Sequence, residues 1–131
     1  MLQKDQLQEL SQLKLKDAKT LLTNNSYDSS FYLCGYAIEL ALKARICITL
    51  QWDGYPSTRK EFQNFNSFKT HDLEILLRLS GIEKKIVMDY ILEWSEVINW
   101  NPEIRYDPPG TIDKEKAQMM INSTQTILEA I

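Results

Sequence analysis

The run Tyr27-Asp28-Ser29-Ser30-Phe31-Tyr32-Leu33-Cys34-Gly35-Tyr36-Ala37-Ile38-Glu39-Leu40-Ala41-Leu42-Lys43-Ala44, with its continuation to Leu50, decides the fold. It contains no proline and a single glycine. Phe31, Leu33, Ala37, Ile38, Leu40, Ala41, Leu42, Ile46 and Ile48 spread over nearly every side of a 3.6-residue period. Such a segment is a helix covered by neighbours on several sides. It is the expected centre of a helical bundle.

One line breaks its apolar surface. With Tyr32 at the origin and ~100° per residue, Tyr36, Glu39 and Lys43 all fall in a narrow wedge around it. Glu39 and Lys43 form an i,i+4 pair in the favourable order, worth about 0.2–0.5 kcal/mol on an isolated helix. A partly buried pair needs further hydrogen bonds to offset its desolvation. The stripe is either a solvated seam between two neighbouring helices or the lining of a pocket or dimer interface.

Outward from this centre, four more helices follow from periodicity. The first spans about Leu2 to Thr23, with Leu7, Leu10, Ala18, Leu21 and Leu22 on a broad face that also contains Lys14. Asn24-Asn25-Ser26 ends it. Residues 51–70 form a long connection with turn signals at Asp53-Gly54 and Tyr55-Pro56. Its Trp52, Phe62, Phe65 and Phe68 imply either a short helix around Arg59 to Phe65 or a segment folded back over the core. A third helix runs from near His71-Asp72 to Leu79, stopped by Gly81. A fourth runs from about Ile82 to Asn99, with Ile86, Val87, Tyr90, Ile91, Trp94, Val97 and Ile98 as its core face. Asn101-Pro102 and Pro108-Pro109-Gly110 bracket a rigid linker. The fifth starts near Thr111 to Asp113, with Ala117, Met120, Ile121, Thr124, Leu128 and Ile131 at helical spacing. No segment alternates at period two. The expectation is an all-α, up-and-down antiparallel bundle of four main helices plus a shorter one.

Composition sets the bounds. The 131 residues fit one domain, 1–131. Hydrophobic residues make up 44% and charged residues 25%, too apolar for a disordered chain. A net charge of −3, with Lys and Arg scattered among acids, argues against duplex DNA as a partner. Cys34 and Cys47 lie thirteen residues apart on one expected helix, ~20 Å at ~1.5 Å per residue, too far for a disulfide. They read as reduced thiols of a cytoplasmic protein. One histidine with two distant thiols gives no zinc site, and no metal or other cofactor is expected. The N-terminus is not a signal peptide, and no apolar run spans a membrane.

Few residues carry chemistry. His71 opens the third helix, where it either makes a capping or interhelical hydrogen bond or serves as a ligand contact or general base. Arg105-Tyr106 sits in the proline-bracketed linker. There the guanidinium either clamps a phosphate or carboxylate, or pairs with an acid such as Glu39 or Asp107. Trp94 and Trp100 are expected as core and linker anchors. A Gly-rich phosphate loop, a GxSxG elbow and a His-x-x-x-His pair are all missing.

The stretch Tyr27–Ala44, with its Ala37-Ile38-Glu39 and Lys43, resembles the second helix of HEPN domains. His71-Asp72-Leu73 and Arg105-Tyr106 follow in the order that family shows, so the resemblance spans Leu10 to Leu128. It implies an all-α bundle that dimerises through its helices. Family members are metal-independent RNases, non-catalytic partners of nucleotidyltransferases, or binders of nucleotides or RNA. The nuclease branch needs an Arg followed shortly by a His. Here Arg105 is followed by Tyr106-Asp107-Pro108-Pro109-Gly110-Thr111-Ile112, so no catalytic residue is carried over. The resemblance implies a non-catalytic, homodimeric module that binds a nucleotide, RNA or a partner protein. It would be an accessory to a nucleotidyltransferase or a toxin–antitoxin system, with Tyr32, Tyr36, Glu39, Lys43, His71, Arg105 and Tyr106 as ligand-binding residues. The alternatives are a divergent metal-independent RNase and a structural helical scaffold.

Overall fold

A computed structural model describes residues Met1–Ile131. Its elements in chain order are β1 (Leu2–Gln3), α1 (Lys4–Thr23), α2 (Tyr27–Leu50), β2 (Gly54–Tyr55), α3 (Arg59–Phe62), α4 (Leu73–Ser80), α5 (Glu83–Asp89), α6 (Ile91–Val97) and α7 (Lys114–Ala130). Short 3-10 turns cover Asn66–Phe68 and Pro102–Tyr106. The helical bundle is as expected. No helix is long and apolar enough to cross a membrane.

Helix α2 is the centre, packed on α1, α7 and α4. Phe31, Cys34, Ala37, Ile38, Leu40, Leu42, Ala44, Ile46 and Cys47 are all buried. Its start follows Asn25 at φ 62°, and its end is capped by Gln51 at φ 58°. Two buried serines stitch α1 to α2. Ser11 Oγ donates to the Ala37 carbonyl at 2.9 Å, and Ser30 Oγ to the Ala18 carbonyl at 2.7 Å. Each hydroxyl thereby satisfies its own buried donor.

Several expectations are corrected. The first helix begins at Lys4, because Leu2 and Gln3 pair antiparallel with Tyr55 and Gly54. Its buried face is Leu7, Ser11, Leu15 and Ala18. Leu10 is exposed, and Leu21 and Leu22 are only half-buried. The fourth helix is two pieces, because Tyr90 at φ −134°, ψ 34° leaves helical geometry. The break turns Val87, Ile91 and Ile98 to solvent, whereas Ile86, Trp94 and Val97 stay in the core. The third helix starts at Leu73, with Asp72 as the cap accepting from Glu74 N and Ile75 N. His71 therefore lies just outside it.

In the connection, both expected features form. The short helix is shorter than expected, Arg59–Phe62, with a Thr58–Glu61 capping box. The segment also folds back: Trp52, Phe65 and Phe68 pack edge-on or tilted at 5.1–6.1 Å, and Tyr55 donates to the Phe68 carbonyl. Gly81, at φ 80°, ends α4 as its sequence position implies.

Candidate functional site

The linker reaches the central helix through two anchors. Asp28, in the first turn of α2, accepts from Gly110 N at 2.7 Å and Ile112 N at 2.8 Å. These are charge-assisted bonds to backbone donors. At the other end, buried Trp100 lays its indole on α2 and donates from Nε1 to the Tyr32 carbonyl at 3.0 Å. Gly35 makes this approach possible. A Cβ there would stand 2.1 Å from the Trp100 ring. Between these anchors, Pro102–Tyr106 turns back so that Arg105 comes beside Tyr32.

Arg105 and Tyr32 line a cavity of about 130 Å³ together with Asp28, Asp107 and Thr111. The guanidinium makes no ion pair. The pairing with Glu39 or Asp107 considered from the sequence does not form. Instead Arg105 stands over the Tyr106 ring at 4.9 Å. The hydroxyls of Tyr32 and then Tyr106 raise its pKa further above its ordinary value. Tyr106 itself is largely solvent-exposed.

From Tyr32 the stripe continues along α2. The rings of Tyr32 and Tyr36 are nearly parallel, 13° apart, with centroids 6.4 Å apart. Lys14 from α1 lies over the Tyr36 ring at 5.9 Å. Burial, then Glu39 and Tyr32, raises the Tyr36 pKa, which keeps the phenol a neutral donor. The unbroken series is Lys14, Tyr36, Tyr32, Arg105, with a cation at each end of two aromatic rings.

Further along, Glu39 is 3% exposed and holds two partners. Lys43 Nζ is 3.3 Å from Oε2, and His71 Nδ1 is 2.9 Å from Oε1. The further hydrogen bond that a buried pair requires thus comes from His71. The Lys43 ammonium also lies 5.3 Å above the buried Tyr55 ring. The His71 side chain is 66% exposed.

All seven residues singled out in the sequence lie on or beside this stripe, in two groups. Tyr32, Tyr36, Arg105 and Tyr106 form one; Glu39, Lys43 and His71 form the other. Seven residues separate Tyr32 from Glu39, ~10 Å along the helix axis. Trp100 is a linker anchor as expected; its seat on Gly35 and the contributions of Lys14 and Asp28 escaped sequence reading. Lys14 carried a signal, as a cation on an otherwise apolar helix face.

Fold and site together describe a helical bundle with a cationic, aromatic stripe on its central helix. The family model described as HEPN domain matches residues 7–60, which take in most of α1, all of α2 and the first half of the connection. Over this stretch the chain is similar to HEPN domains. The His71 and Arg105 segments lie beyond the matched stretch. No curated protein and no solved structure matches the chain.

Proposed function

We propose that the chain is a non-catalytic HEPN module, one domain over residues 1–131, which binds a nucleotide or single-stranded RNA along the Tyr32–Tyr36 face. The observation that carries this reading is the series Lys14, Tyr36, Tyr32, Arg105. Stacking a base on an aromatic ring is worth about 1–3 kcal/mol, and unpaired cations on either side suit the flanking phosphates. Lys14 and Arg105 are both free of ion pairs. The net charge of −3 confines attraction for phosphate to this local stripe. The unbridged, buried cysteines support a reducing, cytoplasmic setting.

Domains of this family commonly dimerise. A homodimer is supported here by the apolar face of α5 and α6, where Val87, Met88, Ile91 and Leu92 are exposed.

A second reading, a divergent RNase, draws on one observation. Glu39 at Nδ1 of His71 orients the ring so that Nε2 faces solvent as a base. Two features weigh against it. The free guanidinium sits at the other end of the stripe, and the nearer cation, Lys43, is already paired with Glu39. A phosphorane formed beside His71 would lack a free charge to stabilise it.

Anisotropy titration of a labelled single-stranded RNA decides between binding and cleavage. The expected result is saturable binding in the micromolar range, weakened about tenfold by Arg105→Ala, with the RNA left intact. Cleavage that Arg105→Ala and His71→Ala both abolish establishes the second reading. No binding at ~1 mM protein removes the ligand claim.

A further inference from the structure

A second cavity, of about 200 Å³, opens away from the stripe, in contact with α1, α2 and α7. Arg45 stands in its wall, Gln8 and Gln12 belong to its rim, and Ala44, Ile48 and Leu128 supply apolar lining. Gln8, Gln12 and Ile48 are exposed, so the cavity is reached from solvent.

Arg45 is unusual among the cations of the chain. Its Nε is buried and has no hydrogen-bond partner, and its guanidinium makes no ion pair. No Asp or Glu lines the cavity, and the carboxyl group of Ile131, which also lines it, makes no ion pair with Arg45. Removing the Nε donor of a charged group from water without a replacement acceptor is costly. The fold thus holds a part-buried planar fork whose match is a carboxylate.

We infer that this cavity binds a small monocarboxylate with a short apolar tail. The carboxylate meets the Arg45 guanidinium, and the tail lies against Ala44, Ile48 and Leu128. The Gln8 and Gln12 amides are available to a polar substituent at the mouth. Size and charge narrow the class. The cavity of about 200 Å³ suits a ligand of a few heavy atoms. A phosphate dianion would find only one cation here, with no second charge to offset it.

The test is a titration of the full chain with isobutyrate and, as its uncharged isostere, isobutyramide. The Arg45 Nε–H signal and the backbone amides of Ala44, Ile48 and Leu128 are followed by nitrogen-15 NMR. The expected result is a saturable shift with isobutyrate, at least about tenfold weaker with the amide. Arg45→Met abolishes it at the Ala44, Ile48 and Leu128 amides, and Lys84→Ala, an exposed position outside the cavity, leaves it. Where Arg45→Met does not fold, the acid-against-amide comparison decides alone. Equal responses to the two probes, or no saturable response to isobutyrate, overturn the assignment. So does an Arg45 shift on simple dilution of the protein, which would identify an acidic side chain of a second copy as the partner.

Discussion

His71 Nδ1 lies 2.9 Å from Glu39 Oε1, which joins an exposed imidazole to a carboxylate that is 3% exposed. With Lys43 on its other oxygen, Glu39 is the hub of a three-residue cluster fixing α2 against the loop before α4. Glu39→Ala leaves Lys43, 11% exposed, without its counter-charge. The expected cost in urea unfolding is roughly 1–3 kcal/mol. Glu39→Gln, whose carbonyl still accepts from Lys43 while its amide N–H can donate to a neutral His71 Nδ1, costs less than Glu39→Ala.

The seat of Trp100 on Gly35 sets the path of the linker. Gly35→Ala drives a methyl into the indole, with an expected destabilisation of roughly 1–3 kcal/mol. A red shift of tryptophan emission and weaker ligand binding should accompany it, because Arg105 loses its position beside Tyr32.

Asp28 is the second fastener. Asp28→Ala removes the acceptor of the Gly110 and Ile112 amides. Hydrogen exchange at these two amides should accelerate about tenfold or more, with the core of α2 unaffected.

The central helix was legible because hydrophobicity around its whole circumference has one physical meaning, burial on all sides. The row of Tyr32, Tyr36, Glu39 and Lys43 was legible for the same reason, since polar groups stand out on such a surface. What joins the row to its surroundings was not. Asp28 reaches Gly110 across 82 residues, and Trp100 reaches Tyr32 across 68. No local pattern encodes such pairings. The break at Tyr90 was missed because Ile82 to Asn99 keeps helical periodicity throughout, without a proline or glycine to mark the interruption.

Burial pushes the Cys34 thiol from its ordinary 9.0 up to about 12. The folded state therefore holds this proton when the unfolded state releases it. The associated stability is complete below about 9 and is lost as pH rises through about 12. Alkylation by iodoacetamide at pH 8 should be at least about a hundredfold slower in the folded chain than in urea.

Leu92→Glu on the apolar face of α6 tests the proposed dimer. Sedimentation should show a dimer for the native sequence and a monomer for the variant, since a buried unpaired carboxylate costs several kcal/mol at an interface. Urea stability per chain should stay within ~0.5 kcal/mol at protein concentrations where both are monomeric.

The central claim is that Lys14 and Arg105 bracket two tyrosine rings as a phosphate-and-base site. Its most direct test is the salt dependence of single-stranded RNA binding. Each phosphate neutralised contributes about −0.7 to the slope of log K against log salt. Two free cations give about −1.4 for the native chain and about −0.7 for Arg105→Ala or Lys14→Ala. A slope that neither substitution changes, or RNA binding that is absent at low salt, would contradict the account.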